Sequence, residues 1–270
     1  MNNVQLLSKP AAPSITKPIE LYIFLDPLCK KALTMQTVLR KLTVEYEHYF
    51  TWRYILSTKL ASLNTLSRRT KGCMTGAELD ITHPALPSIA IKAAELQGKK
   101  AATRYLLKLQ EHALLKTKNV TSYSALIEIA KESNIDLDEF ISDFGSKEAA
   151  RAFQCDLHIT HEMEVDEIPT IVFFNECIED EGLKVSGMYT YEVYVQILQE
   201  MINEEITCNP LPTFDELFNR FHILTTSDVA EIYSISHQEA ERELKKRMLQ
   251  QKIERLANDD VTLWRKKCIQ

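Results

Sequence analysis

Residues 19–56 read IELYIFLDPLCKKALTMQTVLRKLTVEYEHYFTWRYIL. The opening run, 19–25, is apolar and rich in strand formers, and Asp26-Pro27 stops it, because proline has no N–H to continue a ladder. Beyond it, Leu28, Ala32, Met35, Val38, Leu39, Leu42 and Tyr46 fall at helical spacing. FTWRYILS (50–57) then reads as a second strand. Strand, helix and strand in that order predict a βαβ unit, with parallel strands joined by a right-handed crossover. Cys29 stands where the helix begins.

The sequence on either side predicts an α/β protein with a helical insertion. Residues 58–82 are polar and weakly periodic, and read mostly as loop. From Pro84 to Met163 nearly everything has helical spacing, with Gly98 dividing the first two helices and Ser/Thr caps starting later ones. IPTIVFF (168–174) returns as an apolar strand after Pro169, and GLKVSGMY (182–189) is its expected hairpin partner. TYEVYVQILQEMIN closes this region as a helix. ITCNPLPT (206–213) carries two prolines without periodicity and reads as a linker. In 214–270, the stretches FDELFNRFHI, SDVAEIYSI and SHQEAERELKKRMLQQ read as helices. KIERL and VTLWRK read as a hairpin, giving the pattern of a small winged-helix-like domain. The expected organisation is a flexible arm (1–18), a main domain (19–205, insert about 84–163), a linker (206–213) and the winged-helix-like domain (214–270).

Composition removes several function classes. The chain has 270 residues and only 6 glycines, where average usage predicts about 19. Neither G-x-G-x-x-G nor G-x-x-x-x-G-K-[ST] occurs, so the loops that cradle phosphates are missing. Net charge is −6, with no global basic field for nucleic acid. Residues 214–270 hold ten basic and ten acidic side chains, and the would-be recognition helix begins HQEAERE, acidic where bases would be met. No apolar run nears the roughly 20 residues of a membrane span, and the start of the chain lacks the apolar core of a signal peptide. Six cysteines, none spaced C-x-x-C, suit free thiols in a cytoplasmic protein. We expect no cofactor.

Three local features invite chemistry. At Cys29, the free N–H groups and positive end of a helix start are the environment that activates thiols. A dithiol enzyme needs a second cysteine three positions on, and that position is Ala32. Cys29 is therefore either a small buried residue at a helix start or a lone thiol. Cys155, His158, His161 and Glu162 suggest a metal, but His161 leaves the helix face the others share, and we expect an ordinary helix face with no metal. NECIEDEG (175–182) reads as a solvated acidic loop, able to select a basic partner.

The strand followed by Asp-Pro-Leu-Cys at a helix start, the insert sequence IAIKAAELQGKKAATRYLLKLQ, and Ile168-Pro169-Thr170 before a strand resemble the layout of DsbA-like thioredoxin-fold proteins. DPLC, KAAELQG, EMEVDEIPTIVFFNE and EDEGLKVSGMY are similar to the YjbH/SpxH family of Spx-degradation adaptors of Gram-positive bacteria, over about residues 19–264. The resemblance implies a thioredoxin-like fold, a cis peptide bond before Pro169, and a non-catalytic role holding the regulator Spx for destruction by the ClpXP protease. It implies Spx and ClpX or ClpXP as partners, with ClpX met directly or through Spx, and control of the thiol-stress response. Cys29, Ile168 and Pro169 are the candidate contact residues, since a strand edge there could receive an extended peptide. Some family members carry a zinc-binding Cys/His-rich N-terminal segment; the arm 1–18 has neither residue type. The enzyme alternative is a monothiol oxidoreductase or glutathione-linked enzyme using Cys29.

Overall fold

The structure, a computed structural model, describes residues 17–57, 83–175, 182–257 and 261–267. Most of the N-terminal arm, the connector 58–82, the acidic residues 176–181 and the final hairpin turn lie outside the described residues.

The first unit forms as its periodicity dictates. Strands β1 (Ile19–Leu25) and β2 (Phe50–Leu56) pair in parallel and in register, Ile19 opposite Phe50, through helix α1 (Lys30–Tyr46). Strands β3 (Thr170–Phe174) and β4 (Leu183–Ser186) add antiparallel pairs, giving the order β2-β1-β3-β4. Ile19, Leu21, Ile23 and Leu25 alternate onto one sheet face. There they pack with Ala32, Met35 and Leu42 of α1 and with Tyr194 and Leu198 of the helix Tyr191–Ile202. Phe24, Ile55 and Val172 take the opposite face.

The insert is wholly helical across its described residues: α2 (Leu86–Leu96), α3 (Lys99–Leu115), α4 (Tyr123–Glu132), α5 (Leu137–Phe144) and α6 (Lys147–Glu162). Gly98 separates α2 from α3 at φ +112°, which a side chain would oppose. Ser122, Asp136 and Ser146 cap the last three helices through their side chains. The insert is tied to the sheet by one carboxylate. Asp156 of α6 accepts the Leu56 N–H at 2.8 Å and pairs with Lys92 of α2 at 2.7 Å. Burial pushes the Asp156 carboxyl up, and Lys92 opposes that.

The helix Tyr191–Ile202 is α7. It leads to α8 (Phe214–Phe221), β5 (Ile223–Thr225), α9 (Thr226–Tyr233), α10 (His237–Leu249), β6 (Ile253–Ala257) and β7 (Thr262–Lys266). The strand β5 is a correction: the sequence reading ran the helix through Ile223. Instead α8 ends at Phe221, His222 turns to φ +57°, and β5 pairs with β7 in the order β5-β7-β6. Burial of Leu224 in the module's core drives the change, and the His222 carbonyl accepts the Lys266 N–H at 2.8 Å. Helix–strand–helix–helix–hairpin is the element order of winged-helix modules.

This module is bolted to α1. Asp228 of α9 accepts Thr37 Oγ1 at 2.6 Å and pairs with Arg40, both from α1. Its carboxylate also accepts the Thr225 N–H, completing a capping box. Lys41 reaches Ser234 at 3.2 Å, Arg220 pairs with Glu47, and Val44 enters the module's apolar core. Even the stretch read as a linker is held, the Asn209 N–H donating to the Glu45 carbonyl at 2.8 Å and the Thr207 N–H to Tyr49 Oη at 3.0 Å.

Two outcomes follow. Asp228→Ala strips the partner from the nearly buried Arg40 and removes one of the two bonds of the α9 capping box, so it should cost about 3–5 kcal/mol of stability in chemical denaturation. It should also expose the 206–213 stretch to limited proteolysis. Desolvation opposes ionisation of Glu132, yet hydrogen bonds from Lys118 and His112 hold its carboxyl down to about 2 from the ordinary 4.5. A lowered carboxyl pKa stabilises the fold above the unfolded value and loses that contribution as pH falls through the folded one. Urea denaturation should therefore show the stability gap between the unaltered chain and Glu132→Gln closing between about pH 4.5 and pH 2.

Candidate functional site

The turn after β1 is set by its own residues. Asp26 Oδ1 accepts the Leu28 N–H at 2.9 Å, the Cys29 N–H donates to the Asp26 carbonyl at 3.0 Å, and the Ala32 N–H takes up the Cys29 carbonyl at 3.0 Å. Cys29 is thereby the N-cap of α1, in extended backbone, with no side-chain cap bond. Its side chain is half-buried and packs with Leu28 against the main core. Ala32 is 1% exposed and sits inside that core, so the position of a second thiol holds a methyl group among apolar neighbours. Cys29, Cys155 and Cys208 are all free thiols.

The Ile168-Pro169 bond is cis. The β1–β3 register sets Thr170 opposite Phe24, at the strand end that leads into the Cys29 turn, and Glu167 lies 3.3 Å from Lys31 of α1. The cis-proline edge and the Cys29 turn are thus neighbours. Thr170 is fully buried and its hydroxyl donates to the Glu167 carbonyl at 2.6 Å. The Pro169 carbonyl already accepts the Gly187 N–H at 2.9 Å, where Gly187 takes φ +88°. Proline has no N–H, so Pro169 offers an extended peptide no main-chain donor and its carbonyl is occupied. Ile168 is half-buried.

Electrostatics at this edge are mild. Lys31, one turn into α1, lies 3.3 Å from Glu167, with both side chains more than half exposed. An open depression of about 500 Å³ lies beside Leu28, walled by Ala113 and the corner 116–120 of the insert. Sequence reasoning missed that corner, because nothing local in 116–120 announces its neighbour.

On α6, His158 pairs with Glu162 at 3.1 Å in open solvent, and Cys155 is exposed. Among the described residues no group of three or more His, Cys, Asp or Glu is placed to hold a metal ion. No described helix is long and apolar enough to cross a membrane. On α10, Lys245, Lys246 and Arg247 each pair with Glu241 or Glu243 on the same helix.

With that geometry in hand, comparison with known proteins is informative. A thioredoxin family model matches residues 22–196. A protein of Shouchella clausii named ClpXP adapter protein SpxH is 40% identical over 266 residues, covering 92% of this chain and 89% of the relative. The Bacillus subtilis protein of the same name is 35% identical over 269 residues, with 92% and 89% covered. Among solved structures, the α-DsbA1 of Wolbachia pipientis superposes with a TM-score of 0.51 at 13% identity, covering 73% of this chain and 94% of that one, which speaks for the fold alone. The thioredoxin sheet, its helical insert and relatives matched across nine-tenths of the chain establish that this chain belongs to the SpxH family of ClpXP adapter proteins.

Proposed function

We propose that the chain is a non-catalytic adapter that binds the transcription regulator Spx in the cytoplasm and promotes its degradation by ClpXP. The observation that carries this reading is relatives named ClpXP adapter protein SpxH, matched at 35–40% identity along nearly all of both lengths. The geometry at Cys29 agrees with it: the buried Ala32 methyl occupies the place of a resolving thiol, so the two-thiol relay of a disulfide oxidoreductase has no second member. Cys29, Ile168 and Pro169 are candidate contacts for the partner, Ile168 foremost, since Pro169 has no free main-chain group. The C-terminal module serves protein docking in this reading. Phosphate binding needs unpaired cations at the contact face, and Lys245, Lys246 and Arg247 are all engaged by two carboxylates of the same helix, Glu241 and Glu243. Catalysis is not needed: a partner that prefers one conformation of Spx raises the population of that conformation, which is sufficient to present it to a protease.

In a reconstituted assay, ClpXP should degrade Spx faster with this chain present than without it; equal rates would sink the adapter reading. A second reading draws on the half-buried, unpaired Cys29 beside the cis-proline edge, which suits a monothiol oxidoreductase. The variant Cys29→Ser separates the two. The adapter reading expects it still to stimulate degradation, and expects neither protein to turn over a disulfide or glutathione substrate. Turnover that vanishes in Cys29→Ser would favour the enzyme.

A further inference from the structure

Far from Cys29 along α1, three parts of the molecule enclose a cleft of about 210 Å³. Its floor is β2, with Phe50, Trp52 and Tyr54 facing the α1 side of the sheet. Thr103 and Leu107 of α3 form one wall, and Phe221 of α8 the other. Phe221 is fixed between two guanidiniums, Arg40 at 5.7 Å and Arg220 at 5.4 Å from its ring centre. Asp228 and Glu47 hold those arginines in turn. The lining is mostly apolar and set in place by groups that are already paired.

Two further observations indicate what it takes. Beneath the cleft, and sharing Gln36, Arg40 and Leu107 with it, is a cavity of about 40 Å³. Gln110, 3% exposed, lines this cavity; its Oε1 accepts Gln36 Nε2 at 2.6 Å, while its own Nε2 donor has no partner. A buried donor without an acceptor costs free energy until one arrives. Charge is the second observation. The cleft continues along β2 into a slot of about 50 Å³ whose free cation is Lys99, without a carboxylate partner among the described residues; Arg53 borders the slot with its guanidinium stacked 4.8 Å from the Tyr22 ring centre, and Glu95, the acidic residue there, is paired with Lys92. The result is a locally cationic trough on a chain of net charge −6.

β2 is also an edge strand. The Ser57 N–H donates to the Leu25 carbonyl and the Ile19 N–H to the Tyr49 carbonyl, so in this parallel pair the odd-numbered residues of β2 bond inward and the even-numbered ones face the edge. Leu56, an even-numbered residue, has its N–H covered by Asp156. Trp52 and Tyr54 present main-chain groups on that same edge.

We propose that this cleft is the seat of an acidic segment of the protein partner, which sets a bulky apolar side chain against Trp52, Tyr54 and Phe221 and brings carboxylates to the trough's cations. The assignment rests on the adapter reading and gives it a surface separate from Cys29. The chain's own residues 1–16 are a poorer fit, since they contain Lys9 and no acidic residue. Aromatic and arginine side chains around a desolvated slot are the usual composition of interface anchors.

The chain has two tryptophans, Trp52 in the cleft and Trp264 fully buried in the module, so fluorine NMR of fluorotryptophan-labelled protein reads the site directly. Adding purified Spx should move the Trp52 resonance and leave that of Trp264. Thr103→Phe fills the cleft from an exposed helix position and should weaken Spx binding by about tenfold or more in calorimetry, with an unchanged melting temperature. Lys99→Glu should weaken it by about threefold while preserving or raising stability, because an acid at the first position of α3 favours the helix. Spx binding with a stationary Trp52 resonance, or undiminished in Thr103→Phe, would overturn the site and leave the adapter reading standing. Absence of Spx binding by the unaltered chain would remove the adapter reading and the site with it. A Trp52 resonance that moves on deleting residues 1–16, with no Spx present, would assign the cleft to the chain's own arm instead.

Discussion

The Asp228 carboxylate is where the two halves of the chain meet, and much of the architecture follows from it. It is 1% exposed, yet three donors meet it: Thr37 and Arg40 of α1 on one side, the Thr225 N–H at the start of α9 on the other. Burying such a charge costs free energy that its partners roughly return, so the pairing contributes orientation more than net stability. Thr37 and Arg40 together restrict how the module sits on α1, while the Thr225 N–H fixes the carboxylate within the module. A purely apolar contact around Val44 would tolerate sliding; the carboxylate does not.

That fixed placement buries α1 on two flanks. Ala32, Met35 and Leu42 face the thioredoxin core, Thr37, Arg40, Lys41 and Val44 face the module, and Cys29 caps the end between them. In a dithiol enzyme, residue 32 must be a thiol that attacks the mixed disulfide formed at residue 29 and releases the substrate thiolate. Here it is a methyl group packed in the core. With no second sulfur to protect, the scaffold is free to bury the helix on both flanks, and rigidity of α1 becomes compatible with the chain's work.

The parts legible in the sequence were those with a local physical signature. β1 and β2 showed themselves by continuous or alternating apolar residues, α1 by its helical spacing, the insert by helical spacing with a Ser/Thr cap and Gly98, and the cis-proline edge by its resemblance to a known layout. β5 was missed because three residues carry no periodicity, and its reason for being a strand is Leu224 finding a core built by residues forty positions away. Asp228 shows the limit more sharply. In sequence, Thr225-x-x-Asp228 is a complete helix cap, and nothing local signals that the same carboxylate also binds Thr37 and Arg40. The neighbours of Cys29 on the insert, and the cleft over β2, were hidden for the same reason: each is a contact between segments far apart in the chain.

The role of the C-terminal module turns on this geometry. A winged-helix element order ordinarily invites a nucleic-acid reading, but on the helix that would enter a groove Lys245, Lys246 and Arg247 are already engaged by Glu241 and Glu243. What the module supplies instead is position. Phe221 and Arg220 stand over β2 because α8 follows a tethered stretch and because Asp228 sets the angle of docking. Remove the module and Trp52 and Tyr54 lose a wall; remove the insert and they lose Leu107 and Thr103. The sheet edge becomes a shaped site only when all three parts are assembled. For a protein whose proposed task is to hold another chain, such a composite surface couples recognition to the integrity of the whole fold.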